Sequence, residues 1–154
     1  PAPERVRGAT FAEFGPKRRG LGGWGTRNDQ GTFDVEDLAS AIVRFRTGSA
    51  LTVDVSWAAH HPDKIWLHLM GEKGGITLFD GPLTVYTEEN GEQRQWQPEV
   101  QKDETREVLW RHFVHCCRTG ARPISSGEEG LEVTRMLRAI YESAESGGSV
   151  SPEA

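Results

Sequence analysis

The segment Gly20-Leu21-Gly22-Gly23-Trp24-Gly25 has the G-x-G-x-x-G spacing that can cradle a dinucleotide pyrophosphate. That chemistry needs a tight turn from a buried strand onto a helix N-terminus, where backbone N–H groups meet the phosphates. Here Pro16-Lys17-Arg18-Arg19 precedes the glycines and Thr26-Arg27-Asn28-Asp29-Gln30-Gly31 follows them. Neither flanking element is where the mechanism requires it, so the segment reads as a loop. Within it Trp24, Arg27, Asn28 and Asp29 suit sugar recognition, with an aromatic face for the C–H side of a ring and planar polar groups for its hydroxyls. The competing reading is a surface loop with a packed tryptophan.

Other constellations are thinner. His112, His115, Cys116 and Cys117 carry metal-capable atoms, and His112 with Cys116 at i,i+4 shares a helix face. A metal site would need further ligands, for which His60, His61 and Asp63 would have to be brought close by the fold; a plain helix with buried thiols is the simpler expectation. Ser125 and Ser126 precede a helix, where capping accounts for serine without catalysis. Glu36 and Asp37 are adjacent in an extended segment and point to opposite faces, so they do not form an acid/base pair. They read as carboxylates at the surface or at the start of a strand. His60-His61-Pro62 lies at a turn and reads as solvated.

The elements that must position these groups are legible from periodicity. A first strand is expected over 6–14, followed by a glycine-rich polar segment over 15–31, a length usually reserved for functional or mobile loops. Strands over 38–46 and 50–58 flank Thr47-Gly48-Ser49, a hairpin signal. Leu51, Val53, Val55 and Trp57 alternate with Thr52, Asp54 and Ser56, the pattern of a half-buried antiparallel sheet. Over 64–70, Ile65, Leu67 and Leu69 face one way and Trp66, His68 and Met70 the other, so both faces call for cover. Short strands over 76–79, 83–87 and 93–97 complete a meander, with Asn90-Gly91 as a type I′ turn.

From Thr105 the period changes to that of a helix. Leu109, Phe113, Cys116 and Cys117 form a stripe that ends at Gly120. Ser126 and Glu129 form a capping box for a second helix with Val133, Met136, Leu137, Ile140, Tyr141 and Ala144 on its apolar stripe, closed by Gly147. The expected class is α+β: a mostly antiparallel open sheet with two C-terminal helices packed on one face.

Composition bounds the function. A chain of 154 residues can bury roughly 70% of its unfolded surface, enough for one domain with a core. Its net charge of −5 offers no basic field, which disfavours nucleic acid or an anionic membrane as the main partner. No apolar run approaches the roughly 20 residues of a membrane span, so a cytoplasmic location is expected. Cys116 and Cys117, adjacent within a helix, are poorly placed for a disulfide and are expected to be free thiols. A start at Pro1 that runs straight into an apolar strand suggests truncation.

Several segments together resemble a known family. Val35-Glu36-Asp37-Leu38-Ala39, Val55-Ser56-Trp57-Ala58, Gly71-Glu72-Lys73-Gly74-Gly75, His112-Phe113 with Arg118-Thr119-Gly120, Pro123, Ser126-Gly127-Glu128-Glu129-Gly130-Leu131 and Ala139-Ile140-Tyr141-Glu142-Ser143-Ala144 are similar in order and spacing to the C-terminal domain of the glucose–fructose oxidoreductase, inositol dehydrogenase and MocA (Gfo/Idh/MocA) family. The resemblance implies a parent whose Rossmann domain carries the true dinucleotide fingerprint and a proton-transferring lysine. It also implies a substrate-site aspartate and histidine on a helix early in the second domain. The chain begins just after that helix, so no catalytic residue is carried over. His115 stands where the family often has an aspartate, and His60 and His61 replace small or polar residues.

These readings combine into one expectation: residues 1–154 form a single domain, the C-terminal part of an NAD(P)-dependent sugar or polyol oxidoreductase whose N-terminal Rossmann domain is absent. The fragment would wall a substrate pocket and assemble into a homo-oligomer through its sheet, would hold no cofactor or metal itself, and would be inactive alone. A stand-alone ligand-binding or protein-interaction module is the rival, and a thiol- or metal-based enzyme at Cys116 and Cys117 a third possibility.

Overall fold

The computed structural model describes residues 2–19, 30–60, 66–79, 81–100 and 105–152. The chain divides into two units, Pro1–His60 with Arg122–Ala154, and His61–Ala121. The expected antiparallel strands and two helices are present, the strands grouped as one sheet of three and one of four.

In the first unit β1 (Pro3–Phe11), β2 (Leu38–Phe45) and β3 (Ala50–Ser56) form an antiparallel sheet in that order. The register places Val6 opposite Val43 and Val43 opposite Leu51, so the apolar alternation of each strand falls on one face. β1 starts earlier than the apolar pattern suggests because Arg5 and Arg7 pair with β2 while their side chains stay exposed. It ends at Phe11 because residues 13–18 turn the chain. The β2–β3 hairpin closes with Gly48 at φ 87°, a left-handed conformation that glycine adopts without steric cost.

The second helix, α2 (Gly127–Ser146), packs on β1. Val6, Ala41, Val43, Ala139 and Ile140 form the buried core, with Phe45, Met136 and Val150 against it. Each fully buried Val or Ile in such a core contributes about 1.5–3 kcal/mol. Gly8 makes the approach possible, since a Cβ there would sit 2.8 Å from Ile140 Cγ2 and 3.1 Å from the Ile140 carbonyl oxygen. Ser143 ties the same junction: its buried hydroxyl accepts from Gly8 N–H at 2.9 Å and donates to the Gly148 carbonyl. Past the helix, Val150 pairs with Val6 across the free edge of β1 through N–H···O bonds of 2.8 and 2.9 Å.

The capping box forms as the sequence requires. Ser126 Oγ accepts from Glu129 N–H, and Glu129 Oε2 accepts from Ser126 N–H at 2.8 Å. Gly147 closes the helix at φ 66°. Glu128 lies in the first turn with its carboxyl below the usual carboxylate range, held there by backbone and Ser126 hydrogen bonds.

In the second unit β4 (Trp66–Gly71), β5 (Gly74–Phe79), β6 (Thr84–Glu89) and β7 (Glu92–Trp96) form a meander, and Asn90 and Gly91 both have positive φ, 54° and 80°, as a type I′ turn demands. The register aligns Leu67 with Leu78, Leu69 with Ile76, Ile76 with Val85 and Val85 with Trp96 on one face. Neither face is fully covered: Leu67, Leu69 and Trp96 are exposed on one, and Met70 is 90% exposed on the other. Helix α1 (Thr105–Thr119) follows, with α2 after it in chain order. The expected stripe of α1 is present in the sequence, yet Leu109 and Phe113 are exposed, while Cys116 is buried.

Candidate functional site

The richest cluster of polar and aromatic groups among the described residues lies at one end of the three-stranded sheet, where β1 ends, β2 begins and β3 ends. Its centre is Asp37, 1% exposed at the start of β2. Phe14 and Gly15 N–H groups donate to Asp37 Oδ2 at 2.6 and 3.0 Å, so the carboxylate gathers two backbone donors of the turn after β1. The backbone of Asp37 ties the other two strands: its N–H donates to Phe11 O, and its carbonyl accepts from Trp57 N–H and from Ser56 Oγ. Asp37 Oδ1 is buried with no hydrogen-bond partner among the described residues. Burying a carboxylate with an unsatisfied oxygen is costly, so the two charge-assisted bonds at Oδ2 must offset that cost.

The turn held by Asp37 is tight. Arg18 and Arg19 N–H groups return to the Gly15 and Phe14 carbonyls, and Arg18 sits at φ 56°. The guanidinium of Arg18 donates to Gly31 O at 2.7 Å, which ties the two described ends of the 15–31 segment together. Gly15 is needed beside Phe33: a Cβ would lie 2.0 Å from its ring. Phe33 in turn packs on Trp57 with ring centroids 5.3 Å apart, His60 stands edge-on to Phe14 at 5.2 Å, and Arg19 lies over the Phe14 ring at 5.6 Å.

Glu36, next to Asp37, points away from it, as expected for neighbours in extended backbone. Its carboxylate accepts from the Tyr141 hydroxyl on α2, and its carbonyl accepts from Trp57 Nε1 at 3.0 Å. The hydrogen bond to Glu36, then burial and the Glu36 charge, push the Tyr141 phenol above its ordinary value. It therefore remains a protonated donor at neutral pH. The described part of this cluster offers aromatic faces and hydrogen-bonding groups, and its one hydroxyl on a carboxylate is that of Tyr141 on Glu36.

Trp24, Arg27, Asn28 and Asp29, and the whole Gly20–Gly25 fingerprint, lie outside the described residues, as do His61 and Asp63. His60 is exposed, as expected of a turn histidine, with its ring against Phe14. Asp37 stands at the start of β2, one of the two places expected for it, and is buried there because the glycine-containing turn supplies backbone donors to its side chain. Its signal in the sequence was an aspartate immediately before an apolar strand, in the same chain as a Phe-Gly turn able to present two adjacent N–H groups. The thiols are free, as expected; Cys116 is buried with Sγ 3.5 Å from His112 Nε2, but Cys117 is exposed. No group of three metal-ligating side chains converges among the described residues.

Every strand pairing described is antiparallel, so the described residues build no βαβ crossover. No described helix is long and apolar enough to cross a membrane.

Comparison with known proteins places this architecture. Residues 9–151 match the family model of the oxidoreductase family, C-terminal alpha/beta domain. D-glucoside 3-dehydrogenase of Escherichia coli (strain K12) is 28% identical over 155 residues, covering 97% of this chain and 42% of the relative. The chain thus spans less than half the length of that relative. Levoglucosan dehydrogenase in complex with NADH and levoglucosan superimposes with a TM-score of 0.77 at 19% identity, over 99% of this chain and 46% of the other. Aldose-aldose oxidoreductase from Caulobacter crescentus, complexed with glycerol, gives 0.72 at 20% identity, over 97% and 41%. These structural likenesses show the fold.

Proposed function

Because the chain belongs to the Gfo/Idh/MocA oxidoreductase family as its C-terminal alpha/beta domain, we propose that it is the substrate-side domain of a longer NAD(P)-dependent oxidoreductase acting on a sugar or polyol. The observation that carries this reading is the match over 97% of this chain to a D-glucoside 3-dehydrogenase of which it spans 42%. The nucleotide is then held by a Rossmann domain in the part of the parent that this chain does not span, in keeping with the all-antiparallel pairing here. When bound, the nicotinamide cofactor would supply hydride transfer to or from a carbinol carbon, the hydroxyl proton being exchanged with a base of the parent.

The role of this domain is positional. Trp24, Arg27, Asn28 and Asp29 are proposed as its sugar-binding residues, and the described flanks of that segment are anchored at Asp37, Arg18 and Phe33. The open sheet packs against a second subunit, which is supported by exposed apolar side chains such as Met70 and Leu69. A cytoplasmic location suits such an enzyme.

The test pairs two proteins: the 154-residue chain, and the chain with the coding sequence upstream of Pro1 included. Reduction of NAD or NADP in the presence of D-glucosides and polyols is followed by absorbance, and NADH binding by fluorescence. The longer protein is expected to turn over and the 154-residue chain to be silent in both assays. Turnover or tight NADH binding by the short chain alone would overturn the reading, and so would an upstream sequence lacking a strand, G-x-G-x-x-G and helix.

A further inference from the structure

We infer that Trp57, Glu36 and Tyr141 form a subsite for an uncharged sugar ring, with the indole as its stacking face and the Glu36–Tyr141 pair as acceptor of ring hydroxyls. The inference rests on the sugar reading above and adds to it three residues and a charge preference.

All three residues belong to the first unit, so the bonds among them are set within it. Trp57 follows β3 and is fixed at three points. Its backbone N–H donates to the Asp37 carbonyl at 3.3 Å, its indole N–H donates to the Glu36 carbonyl at 3.0 Å, and its ring packs on Phe33 at 5.3 Å. The side chain is nevertheless 46% exposed. With the indole N–H already bonded, what it still offers is a carbon face. A face held in this way loses little rotamer freedom when a ligand stacks on it.

The residue that receives the indole N–H on its main chain is also the one whose side chain Tyr141 holds from α2. That bond uses Glu36 Oε1, and Oε2 has no partner among the described residues. The Tyr141 hydroxyl commits its proton to Glu36 and keeps lone pairs on its oxygen, in a side chain that is 45% exposed. Arg138, three residues before Tyr141 on α2, is bonded to Glu142. The subsite therefore presents acceptors beside an aromatic face, while its own two donors, the indole N–H and the phenol, are both engaged. A complementary ligand must donate. Neighbouring hydroxyls of a sugar ring do so, and the C–H side of the same ring covers an indole. A sugar acid or sugar phosphate brings a second anion against Glu36 and is disfavoured. A quaternary ammonium suits an aromatic face but has no hydrogen for these acceptors.

The test follows the indole N–H proton resonances by NMR in the 154-residue chain and in the longer parent, titrated in turn with methyl β-D-glucoside, D-glucuronate and choline. The Trp57 resonance is assigned by its loss in Trp57→Phe. It is expected to shift saturably with the glucoside in both proteins, with a Kd on the order of 1 mM for a shallow site of this kind. Glu36→Gln keeps an oxygen for the Tyr141 hydroxyl but removes the charge, and should weaken glucoside binding about tenfold. A Trp57 resonance that does not shift saturably would overturn the inference, and so would undiminished binding by Glu36→Gln. D-glucuronate or choline binding as tightly as the glucoside would overturn the assignment to an uncharged sugar. A response present in the short chain and lost in the parent would overturn it as well, by showing that the face is covered there. Dehydrogenase turnover of the same parent sample scores the enzyme reading separately: an active parent with a silent Trp57 defeats only the subsite, and an inactive parent with a responding Trp57 defeats only the activity.

Discussion

Replacing Asp37 by alanine removes the acceptor that holds the turn after β1. Phe14 and Gly15 N–H groups lose charge-assisted bonds of 2.6 and 3.0 Å and are left beside a small apolar side chain. Hydrogen bonds to a charged group contribute roughly 1.5–3 kcal/mol each, so the gross loss is about 3–6 kcal/mol. Against this, the substitution removes a buried carboxylate whose Oδ1 has no partner among the described residues, a burden of about 1–3 kcal/mol. The expected net loss for Asp37→Ala is therefore about 3 kcal/mol. Asp37→Asn keeps one oxygen for the two donors and removes the charge, with a cost of about 1 kcal/mol. Urea unfolding followed by tryptophan fluorescence and far-ultraviolet circular dichroism measures both, and Trp57 reports locally because its N–H donates to the Asp37 carbonyl. A loss below about 1 kcal/mol for alanine, or an asparagine variant less stable than the alanine one, would refute the assignment of Asp37 as the acceptor that anchors this turn.

Three further outcomes are expected. Gly8→Ala forces a Cβ to within 2.8 Å of Ile140 Cγ2 and should cost about 1–3 kcal/mol through overpacking, read as a lower thermal midpoint. Ser126→Ala leaves the first turn of α2 without its side-chain cap and should cost about 1 kcal/mol in urea unfolding. Because the Tyr141 phenol is raised in the folded chain by Glu36, its contribution is fully present below the ordinary tyrosine value near about 10 and is lost as pH rises through the raised folded value. The stability difference between the native chain and Tyr141→Phe, followed by urea midpoints from neutral pH upward, should shrink at alkaline pH; a constant difference would count against the Tyr141–Glu36 bond.

Local rules gave most of the elements, because they depend on neighbouring residues. The Ser126–Glu129 box, Gly147 as helix closure and the Asn90-Gly91 turn are decided within a few residues, and each forms as read. The bend after Phe11 was harder to see, since the expected strand over 6–14 continued an apolar pattern that a side chain 23 residues away interrupts by capturing Phe14 N–H. The same distance dependence hid the burial of Asp37. The Tyr141–Glu36 pair, separated by 105 residues, has no local signal at all. Apolar periodicity also marked α1 correctly while giving no account of which face is covered, because periodicity records that an apolar side exists and not what lies against it.

The pairing of Val6 with Val150 has a consequence for how the chain folds. Gly8 and Ser143, which join the same edge to α2, are 135 residues apart, and all of His61–Ala121 belongs to the other unit. The unit that contains the first strand is therefore discontinuous in sequence, with the meander inserted into it. Contacts of such separation carry a large loop-closure entropy and slow folding. During synthesis, the meander hairpins can pair as they emerge, whereas β1 must wait for almost the whole chain before its edge is closed. Within residues 1–154 the order of emergence and the order of completion are thus reversed: β1 emerges before the meander, yet its edge is closed after it.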